Sequence, residues 1–383
     1  MAKLVHEQLA LQWSISSGGS RERALAAGWF FLELMVKAMV EHLATTSRLG
    51  AHRKSRFSEQ FHDDIINLVA SITSDIVCRH KNHPEMIEHL NSSLAFFLHD
   101  LLSVMDRGYV FSLIRTYMKD VNSRMTSKPE SLPLWNLQLD FVRIVCSHEH
   151  FVPLNLPSIN PSSELPSSAG GAASPSPSIR SNDSQSSFIA HSIGGQDKPT
   201  HWAELTPDFR KRHFLVGLAL ALLSKSLDQS KNDVQTKAVN CIRNLICFHD
   251  SDPRYKDREC RARVASLYLP LVGIVIDNLG KLYSWSTEGE VRIVGSANPN
   301  EHLNLILTAI SDNVPNAKGP IILKDETTRH LLLCVLWVIK YMDKPLLKQW
   351  WSELSTIRLQ TLLEILRISL SCFQYKVRFE CEF

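Results

Sequence analysis

Two acidic motifs are the residues best placed by type and spacing to do chemistry. Asp63-Asp64-Ile65-Ile66-Asn67 approximates the aspartate-rich magnesium-diphosphate helix of all-α isoprenoid synthases, and Asn232-Asp233-Val234-Gln235-Thr236 with Asn240 approximates their second magnesium motif. The last ligand of each is an amide where a hard cation carrying diphosphate wants a carboxylate, so charge is missing twice. We read both motifs as caps and solvated helix faces. Three His-Asp steps, His62-Asp63, His99-Asp100 and His249-Asp250, resemble the metal pair of helical phosphohydrolases, but the further His and Asp such a centre needs have no diagnostic positions. Cys146, His148, Glu149 and His150 are soft and borderline ligand types. Residues two apart do not share a helical face, so a capping or buried polar role is the expectation there. The basic run Arg48, His52, Arg53, Lys54 and Arg56 suits an acidic lipid or phosphate and reads by default as a solvated loop between helices. No Gly-rich phosphate loop, nucleophile elbow or Cys-x-x-Cys pair is present. The expectation is no catalytic residue, no cofactor and no metal.

The elements that would carry these residues are helices. Phe61, Ile65, Leu68, Val69, Ile72 and Ile76 recur at helical spacing, as do Leu94, Phe97, Leu98, Leu101, Leu102 and Met105. Residues 28 to 43 carry two apolar stripes, Phe31-Leu34-Met35-Ala38 and Leu32-Val36-Val40-Leu43, which predicts cover on two sides. Leu359, Leu362, Leu363, Leu366 and Leu370 repeat the theme. The spacing predicts helices over roughly 24–44, 58–80, 84–106, 108–121, 131–147, 207–227, 232–248, 257–279, 301–311, 325–342, 345–354 and 356–374, with no convincing strand pair. Thr206, Pro207 and Asp208 form a helix start. Gly108 and Gly280 are expected as C-terminal caps, and Pro270 should kink or split its helix. Short turns between such helices, with no fixed-period consensus, indicate an all-α, degenerate armadillo or HEAT-like solenoid.

The chain has 383 residues, 44% hydrophobic and 21% charged, with a formal charge of +3. That composition supports a sizeable core, and the near-neutral balance argues against a dedicated nucleic-acid binder. The longest apolar runs, 214–223 and 267–276, fall short of the roughly 20 residues of a membrane helix, and no signal peptide is visible. The eight cysteines read as reduced core thiols of a cytoplasmic protein. Residues 153–200 hold 13 Ser and 7 Pro in 48 positions. Such a stretch is expected to be a disordered linker between a helical half at 1–152 and another at 201–383. Its Ser-Pro steps suit proline-directed phosphorylation, although any serine-rich linker contains such dipeptides. A shorter loop is expected over about Tyr283 to Asn300.

Five strings go further: Trp29-Phe30-Phe31-Leu32-Glu33-Leu34-Met35-Val36-Lys37; Leu90 to Leu98 running into Asp100 to Gly108; Cys146-Ser147-His148-Glu149-His150; His249-Asp250-Ser251-Asp252-Pro253-Arg254-Tyr255; and Ser371-Cys372-Phe373-Gln374-Tyr375-Lys376. In their order, with the Ser/Pro-rich insertion after the third, they resemble the dedicator of cytokinesis family, in its C subgroup related to the zizimins, over essentially the whole chain. The resemblance implies a very large guanine-nucleotide exchange factor for Rac- and Cdc42-type GTPases, of which this chain matches only the central helical region. It implies a scaffold without the exchange domain, whose partners are the parent's other domains, Rho-family GTPases only indirectly, and adaptor proteins. It also implies a cytoplasmic location, with peripheral recruitment to the plasma membrane through the parent. No catalytic residue of the family falls on this chain. Val377 to Phe383 departs from the expected continuation, as an alternative end or truncated gene model would. The alternatives are a free-standing helical-repeat adaptor and, more remotely, a magnesium-dependent isoprenoid-synthase-like enzyme acting through Asp63, Asp64 and Asp233.

Overall fold

The computed structural model describes residues 4–127, 132–156, 204–283 and 321–373. Among these the regular structure is helical, without strands. The expected helix at 301–311, the loop at 284–300, linker residues 157–200 and the terminal 377–383 lie outside the described residues.

The first helices are α1 (Val5–Ile15), α2 (Gly18–Ala26), α3 (Gly28–Thr45), α4 (Glu59–Arg79), α5 (Pro84–Val104), α6 (Arg107–Ser127) and α7 (Leu132–Cys146). Ser58 caps α4 by accepting from the Phe61 backbone N–H at 3.3 Å, and Pro84 occupies the first turn of α5, where its missing N–H is harmless. The stripes anticipated in α4 and α5 are core: Ile65, Leu68, Ile72, Ile76, Leu94, Leu98 and Leu101 are fully buried. From α3 onward the largest packing contacts skip one helix along the chain, and α1 skips two. Helix α3 lies on α5 and α5 on α7, while α1 lies on α4 and α4 on α6. Two rows of helices result, which is how repeat units stack when no helix pair can bury its apolar face alone.

After these come α8 (Phe151–Asn155), α9 (Pro207–Arg212), α10 (Phe214–Leu227), α11 (Asn232–Ser251), α12 (Arg258–Leu267), α13 (Leu269–Asp277), α14 (Asp325–Tyr341), α15 (Lys344–Glu353) and α16 (Thr356–Phe373). The chain forms two compact units that interleave along the sequence. Among the described residues, one comprises 4–127, 132–151, 218–247 and 321–331; the other comprises 152–156, 204–217, 248–283 and 332–373. In the first unit, Lys237 of α11 pairs with Asp140 of α7 at 2.7 Å, and Thr236 meets Thr327 of α14 at 2.7 Å. In the second, α13 packs on α12 and α16, and Arg358 pairs with Asp277 at 3.3 Å.

Several expectations are corrected. Helix α1 was not anticipated, although His6, Ala10 and Trp13 bury one face at helical spacing. The predicted helix 24–44 is two helices, broken at Ala27. Its second half buries one stripe, Leu32, Met35, Met39 and Leu43, whereas Val40 is exposed. The predicted helix 207–227 stops at Arg212 and restarts at Phe214. Buried Asn155 explains the restart: its side-chain oxygen accepts from Val216 N–H at 2.9 Å, capping α10 from a distant segment, while His213 Nδ1 donates to the Asn155 carbonyl at 2.7 Å. Glycine is required nearby, because a Cβ on Gly217 would stand 2.8 Å from Arg210 Cα. Asn155 and its neighbours Val152 and Leu154 are buried, so the first residues of the expected linker, 153–155, belong to a helix. Pro270 does split its helix, at Tyr268. Gly108 is not a C-terminal cap; it sits in the first turn of α6, where Asp106 accepts from Tyr109 N–H at 3.2 Å. Gly280 lies in a 3-10 turn, and the only positive-φ glycine among the described residues is Gly18.

Candidate functional site

The magnesium motifs do not assemble. Asp63 and Asp64 follow one another on α4 and therefore point apart: Asp63 is exposed, whereas Asp64 is buried and accepts from Gln60 Nε2 at 3.2 Å. Asp233, also exposed, pairs with Lys324 at 3.2 Å. Asn240 takes a bond from His330 Nδ1 at 3.0 Å, and Gln235 is buried, donating to the Gln229 carbonyl at 2.8 Å. Among the described residues, no group of three or more His, Cys, Asp or Glu converges as a metal centre. Asp63→Asn should therefore change stability by no more than about 0.5 kcal/mol. Thermal melts with and without magnesium should coincide for both proteins, and a magnesium-dependent rise confined to wild type would revive the diphosphate reading.

The His-Asp steps are occupied by local structure. His62 Nδ1 donates to the Ser58 carbonyl at 2.8 Å, and its own carbonyl accepts from Tyr109 Oη at 2.7 Å. His99 Nδ1 lies 2.9 Å from Asp100. His249 Nε2 is 3.0 Å from Tyr268 Oη, and burial pushes its pKa down to about 4. Asp250 accepts from Trp337 Nε1 at 2.9 Å. Of Cys146, His148, Glu149 and His150, Cys146 is a fully buried thiol with its pKa pushed up by burial, and His148 serves the turn after α7.

The basic run lies in the loop between α3 and α4, with Arg48, His52 and Lys54 exposed as expected, but Arg53 and Arg56 are engaged by the protein. Arg53 Nη1 donates to the Leu102 carbonyl at 2.9 Å and Arg56 Nη1 to the Val104 carbonyl at 3.0 Å. Both guanidinium groups thus satisfy carbonyls left over at the C-terminal end of α5, where a cation also meets the negative end of the helix dipole. Arg56 further donates to the Ala51 carbonyl at 3.2 Å. Burial and neighbouring Arg53 lower its pKa from the usual value.

The polar groups that matter most in the described structure tie helices together, and the sequence reading missed them. Asn91 is fully buried; its Nδ2 donates to the Leu137 carbonyl of α7 at 2.9 Å, and its Oδ1 accepts from Tyr117 Oη of α6 at 2.6 Å. Tyr117 stacks on Phe141 at 3.7 Å between centroids. The signal available was an amide beside the apolar stripe of Ile87, Leu90 and Leu94. Arg21 of α2 is likewise buried, with Asp75 of α4 as its ion-pair partner. Such residues position helices against one another and offer no nucleophile, general base or open ligand position.

The sequence is matched among known proteins. The family described as "DOCK6-11, TPR domain" matches residues 1–146, giving the repeat type there as tetratricopeptide. The chain is 43% identical to dedicator of cytokinesis protein 7 of Homo sapiens over 98% of its own length, which is 18% of that relative's. It is 40% identical to dedicator of cytokinesis protein 6 of Mus musculus over 98% of its length, 19% of the relative's, and 30% identical to dedicator of cytokinesis protein 9 of Homo sapiens over 73%, 12% of the relative's. The chain belongs to the dedicator of cytokinesis family, and its helical residues 1–146 match that family's TPR domain. It spans about a fifth of the length of proteins 7 and 6 and about an eighth of that of protein 9. No solved structure matches it. Among the described residues no helix is long and apolar enough to cross a membrane.

Proposed function

We propose that this chain is the helical scaffold segment of a cytoplasmic guanine-nucleotide exchange factor for Rac- or Cdc42-type GTPases, and that it acts by holding the other domains of its parent rather than by promoting exchange itself. The observation that carries the reading is the end-to-end match to the family at 36 to 43% identity over 98% of the chain. The buried bonds made by Asn91, Arg21 and Asn155 support the mechanical part, since they fix helix against helix. The higher identity and fuller cover to proteins 6, 7 and 8 than to proteins 9 and 11 support placing it with the former. Its direct partners are then the parent's other domains and adaptor proteins, with the GTPase met only through the parent, which also brings it to the plasma membrane.

Exchange requires a surface that deforms the nucleotide and magnesium site of the GTPase, and the family resemblance assigns that surface to a domain downstream of the helical region. Rac and Cdc42 loaded with fluorescent GDP should release it no faster with micromolar chain than without. A longer version that includes the relatives' C-terminal region should accelerate release. Acceleration by the 383 residues alone would refute the scaffold reading.

A further inference from the structure

Three imidazoles come together at a motif that the scaffold role does not use. His99 lies on α5, one turn before Ser103, while His148 and His150 lie in the turn that follows α7. The His148 ring centroid is 4.7 Å from that of His99 and 5.6 Å from that of His150. His148 is 4% exposed, and both its nitrogens are engaged. Nδ1 accepts the backbone N–H of His150 at 3.0 Å, and Nε2 lies 3.0 Å from Ser103 Oγ. A backbone N–H has no lone pair, so the first contact assigns the tautomer: Nδ1 is bare, and the proton on Nε2 is donated to Ser103. The His148 carbonyl also accepts from Phe151 N–H at 2.9 Å. One residue therefore closes the turn twice and ties it to α5.

We propose that His148 is a pH-sensitive latch: a proton added at Nδ1 abolishes its bond to the His150 N–H, sets two N–H groups against each other, and opens the 147–151 turn, while the Nε2 bond to Ser103 on α5 is kept. The groups facing it are His99 and Asp100 from α5 and Glu149 and His150 from the turn itself. Charge on the two histidines opposes a cation at His148, and the two carboxylates favour one. The carboxylates are shared, since Asp100 Oδ1 is 2.9 Å from His99 Nδ1 and Glu149 Oε1 is 3.4 Å from His150 Nε2. Burial, reinforced by the neighbouring histidines, holds His148 down to about 4 in the closed turn, against 6.5 for a free imidazole. Between these values the open turn takes up a proton that the closed turn refuses. Opening therefore becomes easier as pH falls from 6.5 and gains nothing more below about 4. From pH 7 to pH 5 the opening equilibrium should rise about twentyfold.

Amide hydrogen exchange of the whole chain by NMR tests this. Protection factors of His150 and Phe151 should fall about twentyfold between pH 7 and pH 5 while that of Tyr117, in α6, holds. In His148→Asn, whose Oδ1 stands where Nδ1 does and accepts the same N–H without titrating, the protection of His150 should not depend on pH. Should that variant fail to fold, the imidazole nitrogen shifts of the wild-type protein decide: His148 must remain neutral at pH 5. Unchanged protection at pH 5, a parallel fall at Tyr117, the same fall in His148→Asn, or titration of His148 near 6.5 in the folded protein would each overturn the latch.

Discussion

Replacing Phe97 by alanine should destabilise the protein by about 3 to 5 kcal/mol, read as a lower urea midpoint at unchanged slope. Phe97 is 2% exposed in α5, the helix that touches α3, α4, α6 and α7, and its immediate stripe of Leu94, Leu98 and Leu101 is fully buried. Truncation there removes the transfer energy of a ring and leaves a cavity among helices that packing on several sides prevents from collapsing. Phe96 is the internal control. It is 53% exposed one position along the same helix, so Phe96→Ala should stay within about 0.5 kcal/mol. Similar losses at the two positions would mean that the assigned face of α5 is wrong.

Asp75→Ala should be the most damaging change of a charged residue, at about 3 to 5 kcal/mol, and it should be worse than Arg21→Met. Arg21 is 8% exposed and sends its guanidinium to Asp75, to the Trp13 carbonyl at 2.7 Å and to Ser16 Oγ at 3.3 Å. Removing Asp75 leaves that cation buried among neutral acceptors. Removing Arg21 is milder, because Asp75 still accepts from Arg79 Nε at 3.0 Å, and Arg79 also reaches Glu22. The expected loss for Arg21→Met is about 1 to 3 kcal/mol. The double variant should be more stable than Asp75→Ala alone, since it no longer buries an unpaired charge. Denaturation of the three proteins under one buffer completes the cycle, and additivity of the two single losses would remove the coupling on which this ordering depends.

What the sequence determined by itself follows from period and composition. Apolar residues three and four apart in 58–80 and 84–106 leave a helix no alternative way to bury them, so α4 and α5 and their core faces were legible down to single residues. The Thr206-Pro207-Asp208 start was legible for the same local reason: Thr206 Oγ1 accepts from Phe209 N–H at 3.1 Å, three residues away. The family was legible too, because its five strings are short, ordered and specific. Only the tertiary structure decided matters that join residues far apart in the chain. The break at His213 depends on Asn155, 61 positions before the Val216 N–H it caps. Arg53 and Arg56 look like a solvated basic loop until Leu102 and Val104, almost 50 residues later, bring carbonyl groups to them. Val40 stays exposed on a stripe that periodicity marks for burial, because periodicity states that a face is apolar and not whether a neighbour covers it. The tautomer of His148 belongs to the same class. Its sequence neighbours give a soft, ligand-like string, but which nitrogen carries the proton is settled by a backbone N–H two residues on and a serine hydroxyl 45 residues back, brought within 3.0 Å by the packing of α5 on α7.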